Sequence, residues 1–183
     1  MSSSDTGTPT SPVTSLDLLE DAFTRIRDTV RRATGGLTPE QLTARVAPEA
    51  NTLAWLVWHL TRVQDDHVAD AAGSEQVWTS GGWAERFALP FGDEATGYGQ
   101  SAAEVGQVAG PGVTSESLVG YHEAVYAATV AYLHSLSEGD LTRVVDTNWN
   151  PPVTLAVRLV SVISDDLQHA GQAGFVRGLV TAD

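Results

Sequence analysis

One stretch, Ser164–Gln172, decides how this chain is interpreted, and it reads SDDLQHAGQ. It lies within a long segment whose apolar spacing is typical of an α-helix, in which residues four apart share a face. Asp165 and His169 are therefore expected to lie side by side, where a carboxylate and an imidazole can bind one metal ion. A third candidate ligand is His59, in the apolar segment Trp55–Leu60. Three protein ligands leave coordination positions open, as in catalytic metal sites.

The rest of the chain predicts an all-α fold. Four segments combine a helical apolar stripe with a start or stop signal, and four such helices favour a four-helix bundle. A shorter helical turn begins at Thr38-Pro39. The four long segments run from Thr14 or Ser15 to Gly35, from Asn51 or Thr52 to about Ala72, from Thr114 to Gly139, and from about Val153 to Leu179.

Length and composition limit the domain organisation and the compartment. The 183 residues suffice for one domain, expected over residues 13–183. The Ser/Thr/Pro-rich start, Met1–Pro12, is predicted to be a disordered tail and lacks the features of a signal peptide. No run of apolar residues is long enough to cross a bilayer. We therefore expect a cytoplasmic protein with no membrane partner.

Charge and residue usage exclude several function classes. The net charge is −13, which repels phosphate backbones, so no nucleic-acid partner is expected. The chain has no cysteine, and its ten basic residues are all arginine. Disulfides, thiolate ligands, a cysteine nucleophile, lysine Schiff bases and a P-loop lysine are thereby excluded.

The long connection between residues 74 and 112 is rich in glycine and aromatic residues. A connection of this length in a compact domain is usually functional or disordered, and its aromatic content argues against disorder. Two interpretations are equally favoured: the connection covers one end of the bundle and walls a pocket, or its aromatics fill the core. Trp83 is its candidate contact to a bound molecule. A second connection, 141–152, holds Trp149 and is a candidate to meet the first.

There is a simpler alternative to the metal site. Asp165 and His169 could form a hydrogen-bonded pair at a helix edge, with His59 as an ordinary core histidine. The spacing alone slightly favours this alternative. Asp165 is preferred over Asp166 as a ligand because of its angle to His169 around the helix, whereas Asp166 is a candidate to orient a ligand from behind. A buried aspartate is costly unless it is paired or binds a metal.

Other polar residues also bear on this site. His122 is a candidate fourth ligand or general base, although a boundary position is favoured. Arg158 is a candidate for binding an anionic group, with a salt bridge slightly preferred. His67 lies too far around and along its helix from His59 to share an ion, and His134 is expected to be exposed.

Three motifs together resemble the DinB-like superfamily. They are NTLAWLVWHL at residues 51–60, GWAERF at 82–87 and DDLQHAGQA at 165–173. The most similar branch is the actinobacterial one that includes mycothiol-dependent transferases and maleylpyruvate isomerase. The likeness extends from the first helix to Val180.

This resemblance implies a four-helix bundle with a divalent metal held by His59, Asp165 and His169. Zinc is the expected ion, with nickel, iron and manganese as alternatives. Many DinB-like proteins carry His where this chain has Asp165, and the isomerase branch carries Glu, so the ligand here is one methylene shorter than Glu. The resemblance also favours a homodimer.

The activity implied is transfer of a low-molecular-weight thiol, mycothiol, to a small electrophile, because a bound metal lowers the pKa of a thiol. Two alternatives stay open on the same bundle. One is a metal-dependent isomerase or hydrolase that uses metal-bound water. The other is a non-catalytic, stress-related metal-binding protein. A helical interaction domain without metal is the remaining alternative.

Overall fold

Helices form most of the described chain, residues 12–182 of this computed structural model. Residues 1–11, which hold nearly all of the predicted disordered tail, lie outside that part. The long helices are α1 (Ser15–Thr34), α3 (Leu53–Ala72), α7 (Ser115–His134) and α8 (Leu155–Val180). Shorter elements are α2 (Pro39–Thr43), α4 (Val77–Ser80), α5 (Trp83–Phe87), α6 (Ala102–Val105), a 3₁₀ turn (Glu138–Thr142) and two paired strands, β1 (Val144–Asp146) and β2 (Val153–Thr154).

Threonine caps explain where the four long helices begin. Thr14, Thr52, Thr114 and Thr154 each accept a hydrogen bond from the backbone N–H three residues later, which satisfies a group that the first turn leaves free. At the other end of α3, Gly73 adopts the left-handed conformation (φ 66°) that glycine reaches without strain. The predicted starts of the first three long helices and the end of the second are confirmed.

Two predicted boundaries are wrong. The third long helix ends at His134 rather than Gly139, because Ser137 and Asp140 form a capping box that starts the 3₁₀ turn. The fourth begins two residues later than predicted, because Val153 and Thr154 pair with β1 before the helix starts. Among the helices within residues 12–182, none combines the length and apolar character required to cross a membrane.

The four long helices pack into a bundle around one apolar core. Helix α8 lies against α3 and α1, and α7 lies against α1 and α3. Helix α3 is buried around almost its whole circumference, which suits its nearly continuous apolar sequence. Its inner face contacts α7 and α8, while the connection 74–112 covers its remaining side through contacts such as Trp78 and Phe91 against Trp58.

The aromatic residues of the connection 74–112 mainly fill the core. Trp78 and Phe87 are fully buried, and Trp83 and Phe91 are half-buried against the same cluster. Tyr98 is exposed, as is Trp149 in the second connection. The core-filling interpretation is therefore confirmed for most of these aromatics. The same connection also reaches His59, through residues that carry no aromatic ring.

Trp78→Ala is expected to lower the free energy of unfolding by about 3–5 kcal/mol, because it removes a large buried side chain and leaves a cavity. Trp78 is 3% exposed. Tyr98→Ala is the matched control on the same connection. It should change the free energy of unfolding by less than about 0.5 kcal/mol because Tyr98 lies at the surface. Urea denaturation followed by far-UV circular dichroism measures both. Equal effects of the two substitutions would contradict the burial described here.

Candidate metal centre

Packing of α3 against α8 brings the three predicted ligands together. One ligand atom each of His59, Asp165 and His169 lies within 4.8 Å of the others. The pair on α8 is separated by 3.7 Å between His169 Nε2 and Asp165 Oδ1, which is too long for a hydrogen bond. Asp165, and not Asp166, joins the two histidines, in agreement with the helical spacing. These three residues are called the metal triad below.

Both imidazoles use Nδ1 for a hydrogen bond to the protein. His59 Nδ1 lies 2.5 Å from the carbonyl oxygen of Thr96, and His169 Nδ1 lies 3.1 Å from Oε1 of Gln172. Because a carbonyl oxygen can only accept, His59 Nδ1 carries the proton and Nε2 keeps its lone pair. With Gln172 Oε1 as the acceptor, His169 has the same tautomer. This arrangement is the one that outer hydrogen bonds commonly impose on metal-binding histidines.

Trp55 forms an apolar wall beside the two histidines. Its ring stacks on His59 at a centroid distance of 4.5 Å and meets His169 edge-on at 6.0 Å. The indole N–H of Trp55 donates to Oε1 of Gln100 at 2.7 Å, which fixes the ring in place. Trp55 lies one helical turn before His59, so the contact follows from spacing.

Two features of the triad concern charge. His59 is favoured in its neutral form, and one carboxylate oxygen of Asp165 has no hydrogen-bond partner among the described residues. Burial is the main cause that lowers the pKa of His59; the bond to Thr96 and the charge of Asp165 oppose it. Asp165 Oδ2 is buried and has no hydrogen-bond partner among the described residues. A buried acceptor in this state is costly.

The donor set fits a divalent cation. Two imidazole nitrogens and one carboxylate oxygen are the ligand types that zinc prefers, and three of them leave a vacant position for a further ligand. Asp165 also lines an open depression of about 410 Å³ on the outer side of α8, with Ser161, Ser164 and Gln168 among its neighbours. Of the metal triad, Asp165 alone is among the residues that line this depression, and its unpaired Oδ2 is buried.

Asp166, the predicted orienting residue, faces the core. It is fully buried, and neither of its carboxylate oxygens has a hydrogen-bond partner within residues 12–182. Burial, reinforced by the charge of Asp165, raises the pKa of Asp166 well above its ordinary range. Asp166 makes no hydrogen bond to a member of the metal triad, so the structure gives no support to the predicted orienting role.

His122 is fully buried on α7, not at the boundary that the sequence favoured. Its Nδ1 lies 3.1 Å from Thr61 Oγ1, which in turn donates to the carbonyl of Val57, so Nδ1 is the donor in this bond. Its Nε2 has no partner among the described residues. His122 does not belong to the metal triad, and its role as a general base stays a prediction.

The two candidate contact residues are engaged elsewhere. Arg158 donates to Asp146 Oδ2 at 2.7 Å, and its other nitrogen lies 3.1 Å from His67. The salt bridge that the sequence slightly favoured is therefore present. Trp83 packs against Tyr121 and Phe87. Binding roles for Arg158 and Trp83 stay predictions.

Sequence reasoning missed the residues that support the triad from outside. Trp55 and Gln172 lie one turn from His59 and His169, so helical spacing could have identified both. No local pattern could have identified the Thr96 carbonyl, because that contact depends on how the connection 74–112 returns across α3.

Comparisons with known proteins identify the relatives of this chain. A family model described as mycothiol-S-transferase matches residues 18–182. A conserved protein of solved structure from Enterococcus faecalis is 32% identical, covers 92% of this chain and 98% of its own, and has a TM-score of 0.84. A DinB-like protein from Bacillus cereus is 18% identical with a TM-score of 0.59, covering 88% of this chain and 89% of its own, and shows the fold alone. No curated protein matches the sequence.

His122→Leu is expected to weaken the acid-side loss of stability. Burial, aided by the charge of Arg27, lowers the pKa of His122 from 6.5 to about 3. Between these two values the unfolded chain binds a proton that the folded chain does not, so stability falls as the pH falls through that window. One such proton contributes up to about 1.4 kcal/mol per pH unit. Urea denaturation at several pH values measures the slope, which should be shallower in the variant.

Thr61→Val is the control for this experiment. It keeps the imidazole but removes its hydrogen-bond partner, so it should lower stability at neutral pH and leave the slope on the acid side. A slope that does not change in His122→Leu would contradict the assignment of this proton to His122.

Proposed function

Since the chain belongs to the mycothiol-S-transferase family, we propose that it is a divalent-metal-dependent transferase that joins the thiol of mycothiol to a small electrophile. The observation that carries the metal dependence is the metal triad, whose ligand atoms lie within 4.8 Å of one another. In the reaction the thiol loses its proton to solvent or a base and its sulfur forms a bond to the electrophilic atom. The electrophile either releases a leaving group with the electron pair of the broken bond or, in an addition, moves a π electron pair to a neighbouring atom that takes up a proton.

A cation bound by His59, Asp165 and His169 would supply Lewis acidity, which lowers the pKa of a thiol and favours the thiolate. Zinc suits the two nitrogens and one oxygen best, and nickel, iron and manganese share these ligand types. Asp165 contributes one negative charge, so the triad leaves a divalent ion with a net positive charge toward an anionic sulfur.

The protein's own groups prepare the position for this chemistry. Thr96 and Gln172 hold the two imidazoles with Nε2 available. Trp55 excludes water from one side of His59 through its stacked ring. Asp165 also lines an open depression on the outer side of α8. These features support binding of a thiol at the vacant coordination position of a metal held by the triad. The homodimer stays a prediction.

Loss of any member of the metal triad is expected to abolish tight zinc binding. His59→Ala and Asp165→Ala should each weaken zinc binding by more than the roughly 10–100-fold that follows loss of an outer hydrogen bond to a ligand. His67→Gln is the matched control, because His67 lies on the same helix but outside the triad. Titration against a chromophoric zinc chelator measures the affinity. Equal affinity of Asp165→Ala and the control would refute the triad as the site.

The transfer reaction itself is tested with purified protein, mycothiol and a panel of small electrophiles. Adduct formation, measured by mass spectrometry, should require zinc, nickel, iron or manganese. It should be lost on addition of a chelator, restored by the metal, and absent in Asp165→Ala.

Two results would decide against the proposal. Metal-independent adduct formation would refute the metal dependence. A metal-loaded protein that forms no adduct with any electrophile would refute the transferase activity, and turnover of the same compounds without thiol would favour the isomerase or hydrolase alternative.

A further inference from the structure

A buried guanidinium lies one helical turn beyond His59. Arg62 is 0% exposed, and its nitrogens donate to backbone carbonyl groups of the connection 74–112. Nε lies 3.0 Å from the carbonyl oxygen of Ala95, and one terminal nitrogen lies 2.8 Å from that of Asp93. The other terminal nitrogen donates to Gln76 Oε1 at 2.8 Å. A single side chain of α3 thus holds this connection at two carbonyls two residues apart and at the side chain of Gln76.

The charge of Arg62 is balanced inside the protein. Asp65 Oδ2 lies 3.6 Å from the guanidinium and is itself 3% exposed. The Asp65 carboxylate also accepts the backbone N–H groups of Val77 and Trp78 and the hydroxyl of Tyr121, at 2.7–2.8 Å. A buried ion pair with this many hydrogen bonds favours one arrangement of the chain over others.

The segment that Arg62 holds is the one that contacts His59. The Thr96 carbonyl, next in sequence to that of Ala95, accepts the proton of His59 Nδ1. The following residue is Gly97, with φ 94°, and a Cβ there would lie 2.8 Å from His59 Nδ1 and 3.0 Å from the Trp58 ring. Only glycine allows the backbone to approach the imidazole this closely.

We propose that Arg62 is a positioning residue for the metal centre, which holds residues 93–97 so that the Thr96 carbonyl fixes His59 with Nε2 toward the cation. The inference rests on the proposed metal site, but it concerns a residue that touches no ligand atom of that site. It predicts that the affinity for a metal and the tautomer of His59 depend on the shape of the side chain at position 62.

The shape of arginine is what this role requires. Its planar fork presents donors in separate directions, and here they reach Asp93, Ala95 and Gln76 at once. Lysine would keep the charge beside Asp65 but concentrates its donors at one atom, so it cannot reproduce donation from three separate nitrogens to Asp93, Ala95 and Gln76. Arg62→Lys therefore separates the geometric role from the charge.

Arg45→Lys is the matched control. Arg45 also holds the connection 74–112 through a backbone carbonyl, that of Ala102, and it donates to the carbonyl of Ala50 at 2.8 Å. Its contacts lie away from Thr96 and Gly97. Loss of a guanidinium fork that anchors the same connection elsewhere should leave zinc affinity within about twofold of the unmodified protein.

Two measurements test the inference. Competition with a chromophoric chelator should show a loss of zinc affinity of about 10–100-fold in Arg62→Lys, the range typical for outer partners of metal ligands. Long-range ¹H–¹⁵N spectra of the metal-free protein should show His59 as the Nδ1–H tautomer, and a mixture of tautomers in Arg62→Lys. The second measurement needs no metal, so it tests the inference even if the proposed function fails.

Gly97→Ala provides an independent route to the same displacement. It pushes the segment away from His59 while Arg62 stays intact, so it should reproduce both effects. In the double variant the two losses of affinity should not add, because both act through the position of Thr96.

Several results would overturn the inference. Unchanged tautomer and unchanged affinity in Arg62→Lys would overturn the inference, as would losses that add fully in the double variant or an equal loss in Arg45→Lys. If Arg62→Lys does not fold, Gly97→Ala tests whether the tautomer of His59 depends on the position of residues 93–97, and an unchanged tautomer overturns the inference. Absence of zinc binding in the unmodified protein would instead refute the proposed function.

Discussion

The packing of α3 against α8 is the constraint on which the metal centre depends. His59 and His169 are separated by more than half of the chain, and their ring centroids lie 4.8 Å apart only because these two helices are in contact. The inner apolar faces of both helices supply the free energy for that contact, since Leu56, Leu155 and Leu159 are fully buried. The core therefore brings the three side chains together, and the connection 74–112 fixes the orientation of His59 through the Thr96 carbonyl.

Much of this arrangement could be predicted from the sequence. Cap residues located the starts of three long helices and apolar spacing indicated all four, and the four-residue step from Asp165 to His169 identified two candidate ligands on one face. The remainder could not be predicted because it depends on contacts between distant segments. The start of the 3₁₀ turn at Ser137, the burial of His122 and the position of Thr96 each follow from how connections return to the bundle.

The burial of polar groups on α3 explains why this helix is more than a hydrophobic element. Thr61, Arg62, Gln64 and Asp65 are all buried, and such groups are costly unless hydrogen bonds replace the water they lose. Thr61 meets His122, Gln64 meets Thr129, and Arg62 and Asp65 meet the connection 74–112. These hydrogen bonds specify which segments pack around this helix. An apolar helix of the same volume would lack the directional bonds that favour one arrangement.

The metal triad differs from these paired groups, because its hydrogen-bond acceptors face one another. His59 and His169 both donate from Nδ1, so both direct a lone pair from Nε2 toward the same small volume that holds the Asp165 carboxylate. No donor among the described residues satisfies Asp165 Oδ2. A buried acceptor without a donor raises the free energy of the folded chain, and a cation held by the three side chains would lower it. Metal binding and folding are coupled in such a site, because the unfolded chain has no equivalent arrangement. The unpaired carboxylate oxygen of Asp165, which weakens the folded chain, is thus also a group that a bound cation would stabilise.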